Sequence, residues 1–502
     1  MRQSGWSRRA FLRRVGAAAA GVAGASLLGP RVGNAAFGDY PSQSAKDAGL
    51  PDDRQVDSIL EVFLFGGLSH YESLYLVDEH GHWRLFEGPV LDGALTACGL
   101  GGEDVFQPFH EDALGNTVNL GPFTLPLRQR PDVLARMRMA VVAHEAAPHE
   151  VAIPLALCGR PAGHPGLAGL GTHIQRAFQE REGGDDFLPH SYVLFPTSQL
   201  QSELVRSAVQ IGRHPGTTRP LSLRAGGASE FLEQLSRPGV GSQRNAYDDL
   251  IAANVARYRD RLHFQSEALR ARRFDDLRST NLQLRDAPQL ESLLNPSLFE
   301  PLESTTCSVP PTLDETAMNL RLATHLLTRP ANAPRYVCVV DGGLLPVDGA
   351  AGGYDTHENA TQGQAENLVN TLSVLMSLIN SPGENDPDKL DLDRTLIVLN
   401  TEFGRTPDEQ GNLGRGHWPA GFPIAFIGGP VQSSGIFGGI DAGARAQVAM
   451  APSSHRVAVA AALGLWPFGD ESFNVADVEF LDEPTFATEE VALKTLLERC
   501  FG

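Results

Sequence analysis

Four short segments hold most of the side chains able to do chemistry. Gly66-Gly67-Leu68-Ser69-His70-Tyr71-Glu72 follows one apolar run, and His144-Glu145-Ala146-Ala147-Pro148-His149 follows another. Gly352-Gly353-Tyr354-Asp355-Thr356-His357-Glu358 comes after the run that leads to Asp341. Thr401-Glu402-Phe403-Gly404-Arg405-Thr406 comes after a fourth, with Gly414-Arg415-Gly416-His417-Trp418-Pro419 close behind. Asp, Glu and neutral His are the ligand set of zinc, manganese and related ions. Their recurrence at the ends of apolar runs points to one shared site, with Asp355, His357, Glu402 and His417 as candidate ligands. The planar guanidinium of Arg405 suits a phosphate or sulfate group.

Each segment also has a plain structural reading. Gly66-Gly67 suits a tight turn, and Ser69 a helix cap. Asp355 and Glu358 stand three apart before a helical pattern, which fits a capping box. Glu402 and Arg405 could pair on the surface, and His417 could pack beside Trp418.

The apolar runs at 59–65, 139–143, 192–195, 336–340, 395–399 and 423–427 are short, continuous and bounded by turn residues, as buried strands are. Helical spacing appears at 245–275, 313–328, 358–380, 453–464 and 487–499. Alternating strands and helices of this kind predict an α/β fold, a mostly parallel central sheet with helices on both faces. Ligands of such sheets sit beyond the carboxyl ends of the strands. The stretches 99–126, 159–170, 183–190, 213–228 and 381–393 are rich in Gly, Pro and Asp and are expected to be surface loops. Residues 196–310 lack a clear strand series and read as a helical insertion or cap.

The first 36 residues contain Arg8-Arg9 followed by Phe11-Leu12, a mildly apolar stretch from Gly16 to Leu28, and small residues near Ala35-Ala36. That is a signal peptide of twin-arginine type, so the chain is expected to use the twin-arginine export machinery and to work in the periplasm or otherwise outside the cytoplasm. Residues 37–57 are polar and read as a linker, and 58–502 as the α/β domain. No later run is long and apolar enough for a transmembrane segment.

The net charge is −19, and −25 without the first 36 residues, which carry six arginines and no acid. Such a surface repels nucleic acid and anionic lipid. A small anionic ester remains compatible with it. The five cysteines are scattered, with no Cys-x-x-Cys spacing, so neither a disulfide framework nor a zinc-thiolate site is expected, though one bridge stays open.

The twin-arginine start, Gly-Gly-Tyr-Asp-Thr-His, Thr-Glu-Phe-Gly-Arg-Thr, Gly-Arg-Gly-His-Trp-Pro and the later Phe-Ile-Gly-Gly-Pro together resemble the exported bacterial family called domain of unknown function 1501. The resemblance covers most of residues 58–465. That family is similar in fold to the alkaline phosphatase and sulfatase superfamily. The likeness implies a divalent metal (zinc, manganese or calcium) at the carboxyl edge of the sheet, and ester hydrolysis. It places Asp355 and His357 at one metal, Glu402 where the superfamily binds a second, and His417 at a later metal histidine. His149 falls on the helix that follows the superfamily nucleophile and is a candidate catalytic group, as is Arg405.

The chain departs from the pattern at several positions. Gly66-Gly67 stands where an acid is usual, Gly416 where an Asp precedes the late His, and Phe403 where a His is expected. No Ser, Thr or Cys lies between His144 and His149. Two functions therefore follow: a metal-dependent hydrolase of small phosphate or sulfate esters, or a non-catalytic exported binding protein with a degenerate metal site.

Overall fold

Strands form where β-branched and aliphatic residues run together, because such runs bury both faces of a parallel sheet. This holds in the structure, a computed structural model. It describes residues 37–86, 89–99, 105–161, 164, 168–181, 192–195, 221–222, 249–250, 253, 257, 303–304, 307, 312–330, 333–344, 353–469, 472–483 and 485–502. Ala36–Gly502 make up one compact unit.

The strands that matter for the site are β1 (Ser58–Leu64), β2 (Met137–Val142), β3 (Tyr192–Phe195), β4 (Leu221–Ser222), β5 (Tyr336–Asp341) and β6 (Thr395–Asn400). They are followed by β7 (Gly404–Glu409), β8 (Arg415–Trp418), β9 (Phe422–Gly428) and β10 (Gly435–Phe437). All but β7 and β8 join one sheet of eight strands among the described residues, in the order β10-β2-β9-β6-β1-β5-β3-β4. β1 lies at the centre, parallel to β6 on one side and to β5 on the other. Only β9 runs against the rest, antiparallel to β6 and to β2. The run at 423–427 thus departs from the parallel series. Its link back from β6 is the β7–β8 hairpin, not a helical crossover, and a parallel return needs such a crossover.

Six helices frame the sheet: α1 (His149–Cys158), α2 (Leu170–Arg181), α3 (Glu315–Leu327), α4 (Ala360–Ser377), α5 (Pro452–Ala462) and α6 (Glu489–Phe501). Successive side chains of a strand point to opposite faces. Leu60, Val62 and Leu64 of β1 share an apolar cluster with Leu320 of α3 and Leu368 and Leu372 of α4. Glu61, between them, pairs with Arg456 of α5. Helices therefore cover both faces.

A carboxylate in the central strand is compatible with burial only because its partners are complete. Arg456 donates to both Glu61 oxygens at 2.7 and 2.8 Å, and Asn400 Nδ2 donates at 2.7 Å. The Tyr336 hydroxyl also donates to Glu61. Both charged side chains are fully buried.

Two expectations change, and the one bridge left open is present. Residues 37–57 are not a free tether: Ala45, Ala48, Leu50 and Val56 are buried, and Gly38 bridges to Trp466. The stretch 99–126 is not all surface loop. Residues 107–111 and 117–120 form a hairpin in which Val118 and Leu120 are buried, because apolar alternation persists between the turn residues. Cys98 and Cys307 form a disulfide, while Cys158, Cys338 and Cys500 are buried and free. Nearly all of the helical pattern at 245–275 and of the expected insertion at 196–310, and the whole signal sequence, lie outside the described residues.

Candidate metal centre

Parallel strands end on one edge, so the segments that follow them meet there. Phe65-Gly66-Gly67 follows β1, and the loop to His149 follows β2. The loop bearing Asp355 and His357 follows β5, and Glu402 follows β6. The β7–β8 hairpin brings His417 to the same place.

Close backbone approach is what lets these loops converge. Gly66 has φ +111°, and a Cβ there would lie 2.2 Å from the Asp355 nitrogen. A Cβ on Gly414 would lie 1.7 Å from the His357 carbonyl oxygen. Neither position can carry a side chain without a shift of the neighbouring backbone. The backbone works instead. Gly66 N–H donates to Glu402 Oε1 at 2.8 Å. The carbonyls of Gly66 and Gly67 accept from Arg405, the latter at 3.1 Å. Gln364 of α4 ties the same loops, donating to the carbonyls of Gly67 and Tyr354 at 3.1 and 2.9 Å. It also accepts from Ser69 N–H at 3.0 Å.

Three imidazoles surround Asp355. His149 Nε2 lies 3.3 Å from Oδ2, while His357 Nε2 and His417 Nε2 lie 3.1 and 3.2 Å from Oδ1. The last two nitrogens are 3.0 Å apart. Each ring uses its other nitrogen elsewhere. Nδ1 of His149 meets Glu402 Oε1 at 2.9 Å, that of His417 the Ala147 carbonyl at 2.8 Å, and that of His357 Gln410 Oε1 at 3.1 Å. An imidazole whose Nδ1–H is held by an oxygen presents a lone pair at Nε2, the arrangement found in metal-binding histidines. Ligands held tetrahedrally at 2.0–2.2 Å from one ion stand about 3.3–3.6 Å apart. The observed separations of 3.0–3.3 Å fall at or just below that range, and one ligand atom from each of His149, Asp355 and His417 lies within 4.8 Å of the others. His149, Asp355 and His417 could hold a metal ion.

Electrostatics point the same way. Burial disfavours a charged His149, but the Asp355 and Glu402 carboxylates beside it outweigh that and raise its pKa to about 9. Burial would raise the pKa of Asp355, yet contacts with His149 and His417 and the Arg405 charge hold it far below the usual carboxylate range. The two acids thus favour a cation between them, whether a proton on His149 or an ion at its Nε2. Among described side chains, that Nε2 is buried without an aligned hydrogen bond. Exposure grades outward: Glu402 is 0%, His149 17%, His417 19%, Asp355 31% and His357 43% exposed.

The sequence-predicted residues thus divide. Asp355, His357 and His417 converge. Glu402 stands behind His149 and orients it, and is not in the ligand cluster. His149, read as a catalytic group, sits with Asp355 and His417 in the cluster that could hold a metal. Arg405, expected to face a substrate anion, is fully buried. Its guanidinium donates to Arg415 and Tyr354 carbonyls at 3.0 and 2.8 Å and to Asp355 Oδ1 at 2.6 Å, besides the two glycine carbonyls. It fixes Asp355 and is closed to solvent. Asp355 does not cap α4 either: the helix starts at Ala360 with Asn359 as N-cap, and Glu358 accepts from Asn412. Phe403, where a His was expected, stacks on His417 with ring centroids 4.3 Å apart. Gln364 was missed; a polar residue on the inner stripe of the 358–380 helix was the available signal.

No curated protein and no solved structure matches the chain. A family model described as protein of unknown function (DUF1501) matches residues 135–462. That span runs from β2 through α5 and takes in the whole imidazole–carboxylate cluster, and the chain belongs to the DUF1501 family.

Proposed function

We propose that this protein is an exported, metal-dependent hydrolase of small phosphate or sulfate esters. The observation that carries the reading is the convergence of three Nε2 atoms on Asp355 with every Nδ1 already committed to an oxygen. His149, Asp355 and His417 would hold the ion. Glu402 fixes the His149 ring, and Arg405 fixes Asp355. A bound divalent ion would supply Lewis acidity, polarising the ester oxygen and acidifying a water. His357, the most exposed of the group, accepts the water proton at Nε2 while Gln410 holds its Nδ1. Water is the attacking group, because the nearby hydroxyls are committed. Ser69 is buried and donates to Glu72, and Thr401 donates to the Leu64 carbonyl. The likeness to the alkaline phosphatase and sulfatase superfamily supports the ester class.

One observation favours the second reading. His357 stands as close to Asp355 and His417 as a fourth ligand would. If it binds the ion, the tetrahedron closes and leaves no open position, as in structural zinc sites. The protein would then be a binding protein. The test is the purified chain loaded with zinc, manganese or calcium and offered phosphate and sulfate mono- and diesters. Hydrolysis of any ester, lost in His357→Gln with metal retained, supports the hydrolase. Inactivity on the whole panel with a full metal complement supports the closed site.

Export through the twin-arginine machinery is part of the proposal. The receptor reads the paired arginines themselves, so conserved charge does not replace them. Arg8→Lys with Arg9→Lys is expected to leave unprocessed precursor in the cytoplasm, checked by fractionation. Normal export of the double variant would contradict it. No helix among the described residues is long and apolar enough to cross a membrane.

A further inference from the structure

We infer that the site selects esters with a single negative charge, phosphodiesters and sulfate monoesters, over dianionic phosphate monoesters. This rests on the metal-centre reading above. The charges at the centre are few and fixed. A bound divalent ion, together with the buried Arg405, would be set against the carboxylates of Asp355 and Glu402, and the imidazoles are neutral when they bind metal. One net positive charge remains, which a monoanion balances and a dianion exceeds.

Among the described residues of the segments that build the cluster, nothing makes up the difference. In residues 143–150, 353–360 and 401–418, which surround it, the cations are Arg405 and Arg415 alone. Both are fully buried. Arg415 directs its guanidinium away from the ion, to Glu72 Oε1 at 2.6 Å and to the carbonyls of Thr406, Pro407 and His82 at 2.8–2.9 Å. The same segments expose Glu145, Glu150, Glu358 and Glu409. Glu145 lies on the loop whose Ala147 carbonyl holds His417, and Glu150 and Glu358 each adjoin a cluster histidine. Dianionic substrates usually meet extra Arg, Lys or metal charge that clamps their oxygens, and these segments offer a rim of opposite sign.

The test reads binding rather than turnover. The purified chain is loaded with cobalt(II), and its visible absorption is followed at pH 8 as dimethyl phosphate, methyl sulfate or methyl phosphate is added. The first two are monoanions, the third a dianion. Both monoanions are expected to bind at least about tenfold more tightly than methyl phosphate, on the scale of one charge–charge interaction near a protein surface. Comparing the first two separates phosphorus from sulfur selectivity. Glu402→Gln is the decisive variant. A Gln carbonyl at Oε1 keeps the contacts to Gly66 N–H and His149, while one negative charge is gone. It should move the preference about tenfold toward methyl phosphate. Tighter binding of methyl phosphate to the unmodified protein would overturn the inference, as would equal effects of Glu402→Gln on all three anions. Absence of a cobalt band would remove the metal centre itself. A normal band with the opposite preference would remove only the charge selection.

Discussion

Replacing His149 by alanine is expected to lower metal affinity at least about 1,000-fold. Removing a group that merely orients a ligand costs about 10–100-fold, and His149 is proposed as a ligand itself. The variant also leaves the buried Glu402 Oε1 with the Gly66 N–H alone in place of two donors. The check is competition for zinc against a chromophoric chelator. His144→Ala is the control, because His144 lies on the same segment but contacts the Glu402 carbonyl and Ala146 N–H. It should stay within about tenfold of the unmodified protein, inside the range for an outer contact. Unchanged affinity in His149→Ala would place the ion elsewhere.

The second large effect concerns Gly66. Gly66→Ala is expected to lower the unfolding free energy by about 3–5 kcal/mol, in the upper range for a single substitution. Two costs combine. The backbone at φ +111° strains any L side chain, and the new methyl would meet Asp355 N at 2.2 Å. Backbone atoms cannot step aside as a flexible side chain can. Gly383 separates the two costs. It also has positive φ, at +81°, but a Cβ there meets nothing within 4 Å. Gly383→Ala should therefore cost only about 1 kcal/mol, the conformational part alone. Urea unfolding of the two variants measures the difference. Equal losses would mean that the approach of the Gly66 loop to Asp355 is not what the packing requires.

The strands were legible because buried parallel strands are continuous apolar runs, and every such run became a strand. Direction was not written in them. The run at 423–427 looks like its neighbours, and it is reversed only because a hairpin precedes it. The edge strands β4 and β10, with two and three residues, are too short for any period to show.

The site divides along a similar line. Residue type and strand-end position were enough to bring Asp355, His357, Glu402 and His417 into one neighbourhood, because the topology of a parallel sheet gathers such segments. Roles within that neighbourhood depend on distances of a few ångströms, which spacing does not encode. Glu402 and His149 exchange their expected places for that reason: the helix after β2 carries His149 past Glu402 to Asp355. Arg405 was misread because an exposed arginine and one buried among carbonyls look alike in sequence. The loop carbonyls that it satisfies are made available by Gly66 and Gly67. Those glycines were legible as a turn, but not as the surface against which Asp355 packs.

One divalent ion is proposed to bind between His149, Asp355 and His417. The most direct measurement is elemental analysis of the purified protein after exposure to zinc, manganese and calcium, with X-ray absorption at the edge of the metal retained. For a transition ion, one ion per chain is expected, with nitrogen and oxygen ligands at about 2.0–2.2 Å and an imidazole scattering pattern. Loss of the ion is expected in His149→Ala combined with His417→Ala. A folded protein that retains no ion, or one whose ion survives that double substitution, would contradict it.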